Sequence, residues 1–182
     1  MFKRYLLLTM LMASICAFCL DLSAEEIQVP ITSHALITNG LGQSRILVNI
    51  SLPPQVNDSN LVFAELLIPI TPQMTADSIL RIDCYPVTSA WNPQNVAWSG
   101  PWQRAGGDYD TTASPILFAT TNAASDKAYF DLTRVIKSWL GNIRQNHGLI
   151  FMIPNNISSR FGLRAAPNLP TNAIGTLKIV VL

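Results

Sequence analysis

The sequence predicts an all-β fold: a two-sheet β-sandwich carrying one short α-helix at about residues 132–141. Three observations lead there. Apolar and polar residues alternate with a period of two in several short runs, as strands with one buried face require. Twelve Pro and frequent Asn, Ser and Thr cut the chain into short pieces, which suits strands and turns better than long helices. One segment alone switches to the helical period.

Strands are expected at His34–Asn39, Ile46–Leu52, Ala64–Ile70, Leu80–Tyr85, Ile116–Ala119, Ala128–Leu132, Gly148–Ile153, Phe161–Ala165 and Thr176–Leu182. That number fills two packed sheets. The alternation is clearest in two of them. Ile46, Val48, Ile50 and Leu52 face one way and Leu47, Asn49 and Ser51 the other, until Pro53-Pro54. Leu80, Ile82 and Cys84 oppose Arg81, Asp83 and Tyr85, until Pro86. The first set of each run is assigned to the core and the second to the wet face. Cys84 is then a small buried hydrophobe rather than a nucleophile.

Leu132, Val135, Ile136, Trp139 and Leu140 fall at i, i+3, i+4, i+7 and i+8, a helical stripe that puts Trp139 in the core. Asp131 or Thr133 can cap its start. Gly141 can end it in the left-handed conformation. No internal repeat, low-complexity tract or linker interrupts the chain, so residues 25–182 read as a single domain.

The first residues carry an address. Lys3 and Arg4 precede a largely apolar stretch from Tyr5 to Leu20, followed by Leu22-Ser23-Ala24 and the acidic pair Glu25-Glu26. That order is a secretory signal peptide over residues 1–24, cleaved near Ala24. The stretch is short of the roughly 20 residues of a spanning helix, the rival being a retained anchor. Ile15 and Phe18 stand before Cys16 and Cys19, where a lipoprotein needs a small residue. The expected location is secreted, extracellular or periplasmic. The chain is expected to finish in a strand, leaving no tail for wall sorting or membrane anchoring.

Charge and cysteine count exclude further classes. Of 12 basic residues Lys3 and Arg4 leave with the signal, and of 11 acidic residues Asp21, so ten of each remain. A neutral chain without a Lys/Arg run lacks the footprint of a nucleic-acid binder. Cys84 alone remains of three cysteines, so no internal disulfide framework is possible. With 49% hydrophobic and 13% charged residues, an apolar core must supply the stability.

Catalytic constellations are missing from the pattern. His34 and His147 are the two histidines, and neither accompanies a Gly-x-Ser-x-Gly elbow. Asp108 and Asp110 lie two apart and face the same way in an extended segment, roughly 7 Å apart. Glycoside hydrolysis needs carboxyls on opposite sides of the scissile bond, so this pair flanks nothing. Polysaccharide lyase chemistry lacks a clear Tyr, His and Arg set. The same two Asp, with carbonyls of Gly106 and Gly107, are the candidate ligands for a structural Ca²⁺; a turn in which each Asp bonds backbone N–H groups is the plainer reading. Cys and His are too few for zinc. No cofactor is expected. Asn49-Ile50-Ser51, Asn57-Asp58-Ser59 and Asn156-Ile157-Ser158 fit a glycosylation acceptor.

Sugar binding asks for a flat aromatic beside planar hydrogen-bonding groups. Trp91, Trp98, Trp102 and Tyr109 lie within 19 residues that also supply Asn92, Gln94, Asn95, Gln103, Arg104 and Asp108. Trp91 and Trp98 sit in strand-like alternation that suits core as well. A glycan surface would expose Trp102 and Tyr109 together beside a groove. Arg164 points away from Phe161, Leu163 and Ala165, onto a solvated or ligand-facing surface.

Several blocks resemble a known family. A strand and a proline-containing link lead into Ala64-Glu65-Leu66-Leu67-Ile68; Val87-Thr88-Ser89-Ala90-Trp91 precedes Val96-Ala97-Trp98; Trp102 precedes Gly106-Gly107-Asp108-Tyr109-Asp110; and Phe130-Asp131-Leu132-Thr133 runs to Trp139 and Asn146-His147-Gly148-Leu149. Their order, from about His34 to Val181, resembles the DNRLRE, or disaggregatase-related, domains grouped with carbohydrate-binding modules. The resemblance implies a jelly-roll-like sandwich and glycan binding. Pro93 stands where many members have Glu two residues after the first Trp, and the N-terminal strand region offers only Arg45 and His34. A relative that holds acidic polysaccharide through basic residues there has a ligand this chain need not share.

The expectation is a secreted, non-catalytic carbohydrate-binding module whose partner is a polysaccharide or cell-surface glycan. Its candidate ligand-binding residues are Trp91, Trp102, Arg104, Asp108, Tyr109 and Arg164. The alternative is a structural component of a cell-surface layer, wall or extracellular matrix, acting through contacts with other surface proteins.

Overall fold

The computed structural model describes residues 23–75, 77–164, 170 and 172–182. The apolar stretch assigned to a signal peptide, and Ala165 at the end of one expected strand, lie outside them. The described residues form β1 (Glu25–Pro30), β2 (His34–Thr38), β3 (Ser44–Val48), β4 (Leu61–Gln73), β5 (Leu80–Pro86), β6 (Ile116–Thr120), β7 (Lys127–Asp131), α1 (Thr133–Leu140), β8 (Leu149–Met152), β9 (Arg160–Leu163) and β10 (Thr176–Val181). Two five-stranded antiparallel sheets result. Sheet I runs β1-β10-β4-β7 with β9 also on β4, and sheet II runs β2-β3-β8-β5-β6. Among the described residues the protein is an all-β two-sheet sandwich with a single short helix. Among the described residues no helix is long and apolar enough to cross a membrane.

The 13-residue strand β4 is the spine of sheet I. β10 pairs with it from Leu61 to Leu67, and β9 takes over from Ile70 to Gln73. Pro69 falls in the gap between the two partners. Its missing N–H costs no ladder bond there, and its carbonyl still accepts the Arg164 N–H at 3.0 Å.

The inner faces meet in one apolar core. Ala64, Leu66, Ile68, Phe130, Leu177 and Ile179 of sheet I pack on Ile46, Val48, Ile82, Cys84, Leu149 and Phe151 of sheet II. Phe130 stands edge-on to Phe151 with ring centroids 5.0 Å apart. Each Val, Leu, Ile or Phe among them contributes roughly 1.5–3 kcal/mol by leaving water. Burial and the neighbouring Asp83 push the Cys84 thiol well above its ordinary range, so this cysteine is a packing residue.

The helix lies against β4 and buries Ile136 and Trp139, as its stripe predicts. Its ends differ in detail from expectation. Asp131 Oδ1 accepts the Thr133 N–H at 2.9 Å, but the Thr133 hydroxyl turns away to accept the Ala64 N–H of β4, also at 2.9 Å. Gly141 keeps a right-handed φ of −78°. Asn142 takes the left-handed position at φ 56°, which its short polar side chain tolerates.

Two further corrections concern strands. β1 is an additional strand, absent from the sequence reading, and β3 ends at Val48 while Ile50 and Leu52 continue inward as irregular chain. Leu47, assigned to the wet face, is 0% exposed. The reason is a second apolar cluster on the outer face of sheet II, where Leu47, Ile37, Ile150, Val87 and Trp102 pack together. Residues 87–115, between β5 and β6, fold back over that face and make it.

Candidate functional site

Register dictates what sheet II presents outward. Directly opposed residues of an antiparallel pair share a face. One row therefore runs Ile37, Arg45, Met152, Asp83, Leu117 across all five strands. The adjacent row runs Ala35, Leu47, Ile150, Tyr85. The second row is roofed by the 87–115 excursion, while the first is covered only in part.

The excursion is a built cap. Its neck closes where Val87 bridges Tyr109, with Thr88 N–H to the Asp108 carbonyl at 2.9 Å and Asp110 N–H to the Pro86 carbonyl at 3.3 Å. The Trp102 indole is 8% exposed and donates to the Ala97 carbonyl at 2.8 Å. Trp91, partly buried, donates to the His147 carbonyl at 2.8 Å. Gly106 has φ +89°, and a Cβ on it would lie 2.8 Å from Arg45 Nη1 and 2.9 Å from Trp98. Only glycine fits this approach.

Asp108 organises the cap from inside. Its carboxylate accepts from the Ser89 hydroxyl at 2.9 Å, the Gln103 N–H at 2.9 Å and the Arg104 N–H at 3.0 Å. Burial alone would raise its pKa, but these donors outweigh burial and hold it below the ordinary carboxylate value. Asp110 turns elsewhere. It accepts from the Thr112 hydroxyl and N–H and from the Ala113 N–H, and it pairs with Arg144 at 2.7 Å. The Thr112 contacts lead in lowering its pKa to about 2. Both aspartates thus make the turn-type bonds weighed against the calcium reading. Among the described residues no three His, Cys, Asp or Glu side chains converge.

Beside the cap opens a cavity of about 640 Å³, within the range of ligand sites. Its outer arm is lined by Arg45, Asp83, Tyr85, Tyr109 and Met152. Gln43, Ser44 and Asn155 line the strand ends, and Leu36, Arg160 and Phe161 the side toward sheet I. The Tyr85 and Tyr109 rings lie 5.0 Å apart at 43°. Arg45 fixes the corner: Nη1 donates to the Gly106 carbonyl at 2.6 Å, and its guanidinium carbon lies 4.9 Å from the Trp98 ring centre and 5.4 Å from that of Tyr109. Asp83, 6% exposed, is held by Arg81 through Nε at 2.7 Å and Nη2 at 3.1 Å. Burial, then the Asp83 charge, pushes the Tyr85 phenol above its ordinary pKa.

Of the residues singled out from sequence, the structure brings Tyr109 alone to the cavity wall. Trp102 and Asp108 lie inside the cap, and Trp91 ties the cap to the turn before β8. The Trp102 and Tyr109 rings do not form a shared exposed platform, because Trp102 is consumed in roofing Leu47 and Ile150. Arg104 is exposed and donates to the Tyr109 carbonyl at 3.0 Å, with its guanidinium carbon 5.7 Å from that ring. Arg164, also exposed, follows β9 away from the cavity lining. The sequence reading did not single out Arg45, Asp83, Tyr85, Gln43 and Asn155, which line this cavity. The signal was present in the period-two set Arg81, Asp83, Tyr85, an aromatic and a carboxylate on one outward face.

Compared with known proteins, the chain matches no protein-family model and no curated protein sequence.

Proposed function

We propose that the protein is a secreted, non-catalytic module that attaches to a polysaccharide through the arm of the cavity that lies on the outer face of sheet II. One observation carries this reading: tilted tyrosine rings converge there with Arg45, Asp83, Gln43 and Asn155. Saccharides need that combination, apolar C–H faces meeting aromatics while hydroxyls meet planar donors and acceptors. The residue blocks that resemble DNRLRE domains point to the same class of ligand, and the Lys3–Ala24 segment points to export.

The chemistry around the cavity favours holding over reacting. Asp83 is the one carboxylate among the lining residues, whereas glycoside hydrolysis uses two. A Tyr85 phenol pushed upward is a poor base at neutral pH.

Affinity electrophoresis of the purified protein through a panel of neutral and acidic polysaccharides tests the proposal. Retardation by at least one glycan is expected. The Tyr85→Ala/Tyr109→Ala variant should weaken it about tenfold or more, the equivalent of about 1.4 kcal/mol. Full retention by that variant would move the site elsewhere, and no retardation in any gel would remove the function.

A second reading, assembly with other surface proteins, is favoured by the outer face of sheet I. There Tyr129, 45% exposed, lies opposite Leu67. Sedimentation of wild type against Tyr129→Lys separates the two, since only assembly through that face would respond.

A further inference from the structure

Resting on the glycan reading of the outer arm, we infer that the ligand is an O-acylated sugar chain whose acyl group enters the side of the cavity toward sheet I. That side begins where the core-facing row of sheet II runs out. The row reads Leu36, Ile46, Phe151, Cys84, Ile116 across the five strands, since directly opposed residues share a face. Ile46, Phe151 and Cys84 are buried in the core, whereas Leu36 on the edge strand β2 is 64% exposed. Leu36 lines the cavity together with Leu41, which lies between β2 and β3 and is 88% exposed. Ile153, just past β8, and Phe161 of β9 line it too, each packed in part against the core. Aliphatic surface left in water along a cavity wall gains from an apolar partner in proportion to the area covered.

Between the two arms the lining is polar, at Gln43 and Asn155. Asn39 Nδ2 donates to Gln43 Oε1 at 2.7 Å, and Gln43 Nε2 donates to Asn155 Oδ1 at 2.9 Å. The second bond orients the Asn155 amide and leaves its NH₂ with no partner among the described residues. An amide NH₂ is a donor only. The cavity therefore offers an aromatic and polar arm, then an amide donor, then an apolar arm. An O-acylated sugar presents the matching order: a ring edged with hydroxyls, an ester carbonyl that only accepts, and a hydrocarbon tail. A bare sugar leaves Leu36 wet, and a plain fatty chain leaves the polar groups of the outer arm unmatched.

The test runs each polysaccharide of the panel through affinity gels in two forms, unsubstituted and lightly O-butyrylated, with the purified protein. Butyrylation is expected to tighten binding about tenfold. Leu36→Ser, checked for an unchanged circular dichroism spectrum, should lose that gain and keep its affinity for the unsubstituted polymer. Methyl chemical shifts of Leu36 and Ile153 should move with the butyrylated form alone, and these wild-type shifts decide the matter if Leu36→Ser does not fold. Equal affinity for the two forms overturns the inference and leaves the glycan reading intact; so does a gain that survives in Leu36→Ser. A dimer in sedimentation that Leu36→Ser separates would give the leucine to a second copy of the chain and overturn the inference too. No retardation by any polymer in either form overturns both.

Discussion

Arg45 on β3 donates to the carbonyl of Gly106, 61 residues further along the chain, at 2.6 Å. This one bond joins the flat face of sheet II to the cap that shapes the cavity. The guanidinium also faces two aromatic rings from the cap, so its loss removes several contacts at once. Arg45→Ala should lower stability by about 1.5–3 kcal/mol, the scale of a charged hydrogen bond. Arg45→Lys should recover only part of this, because an ammonium lacks the planar surface that stacks on rings. Urea denaturation of both variants measures the difference.

Trp102 is a structural anchor of the cap rather than a ligand platform. Trp102→Ala should cost about 3–5 kcal/mol, as large-to-small changes in packed sites do. Tyr109→Ala, at a partly open wall, should cost less stability and more affinity. Melting curves and glycan gels run on the two variants side by side would reveal the opposite pattern if Trp102 met the sugar directly.

Asp110 has a folded pKa of about 2 against an ordinary 3.8. A depressed carboxylate stabilises the fold above its unfolded pKa, and the contribution disappears as pH falls through the folded value. Stability should therefore decline from about pH 4 toward pH 2, with Asp108, also depressed, adding in the same direction. Asp110→Asn should flatten part of that slope and leave the pH 5–7 region unchanged in shape. Urea midpoints collected between pH 2 and 7 give the answer.

Gly148, immediately before β8, has φ +80°, and a Cβ there would collide with the Val48 carbonyl on β3. Gly148→Ala should destabilise by more than the roughly 1–2 kcal/mol of left-handed strain alone. Since β8 carries Met152 and Ile150, binding should suffer with it. A Gly148→Ala protein of wild-type stability would contradict the close approach.

The sandwich was legible because burial on one face writes itself into the sequence every second residue. Leu80, Ile82 and Cys84 lie inward as their alternation requires, and the helix stripe through Ile136 and Trp139 packs where its period places it. β1 was not legible: Ile27 and Val29 are only partly buried on an edge strand, so their pattern is faint. The site was harder for a different reason. Tryptophans clustered from 91 to 102 look like a ligand surface, yet what they cover, Leu47 and Ile150, comes from strands some 50 residues away on either side. Local pattern cannot reveal that a loop will fold back on a sheet. Tyr109, singled out as an aromatic near the cap's end, lines the cavity; Asp83 and Tyr85, which line it too, drew no notice because a wet strand face normally carries such residues without purpose.

Amide chemical-shift mapping of the isotope-labelled protein, titrated with oligosaccharides of whichever polymer retards it, addresses the central claim most directly. Perturbations concentrated at Arg45, Asp83, Tyr85, Tyr109 and Met152 are the predicted result. Shifts confined to Asn92–Asn95 and the outer edge of the cap, with the β3–β8–β5 face silent, would contradict it.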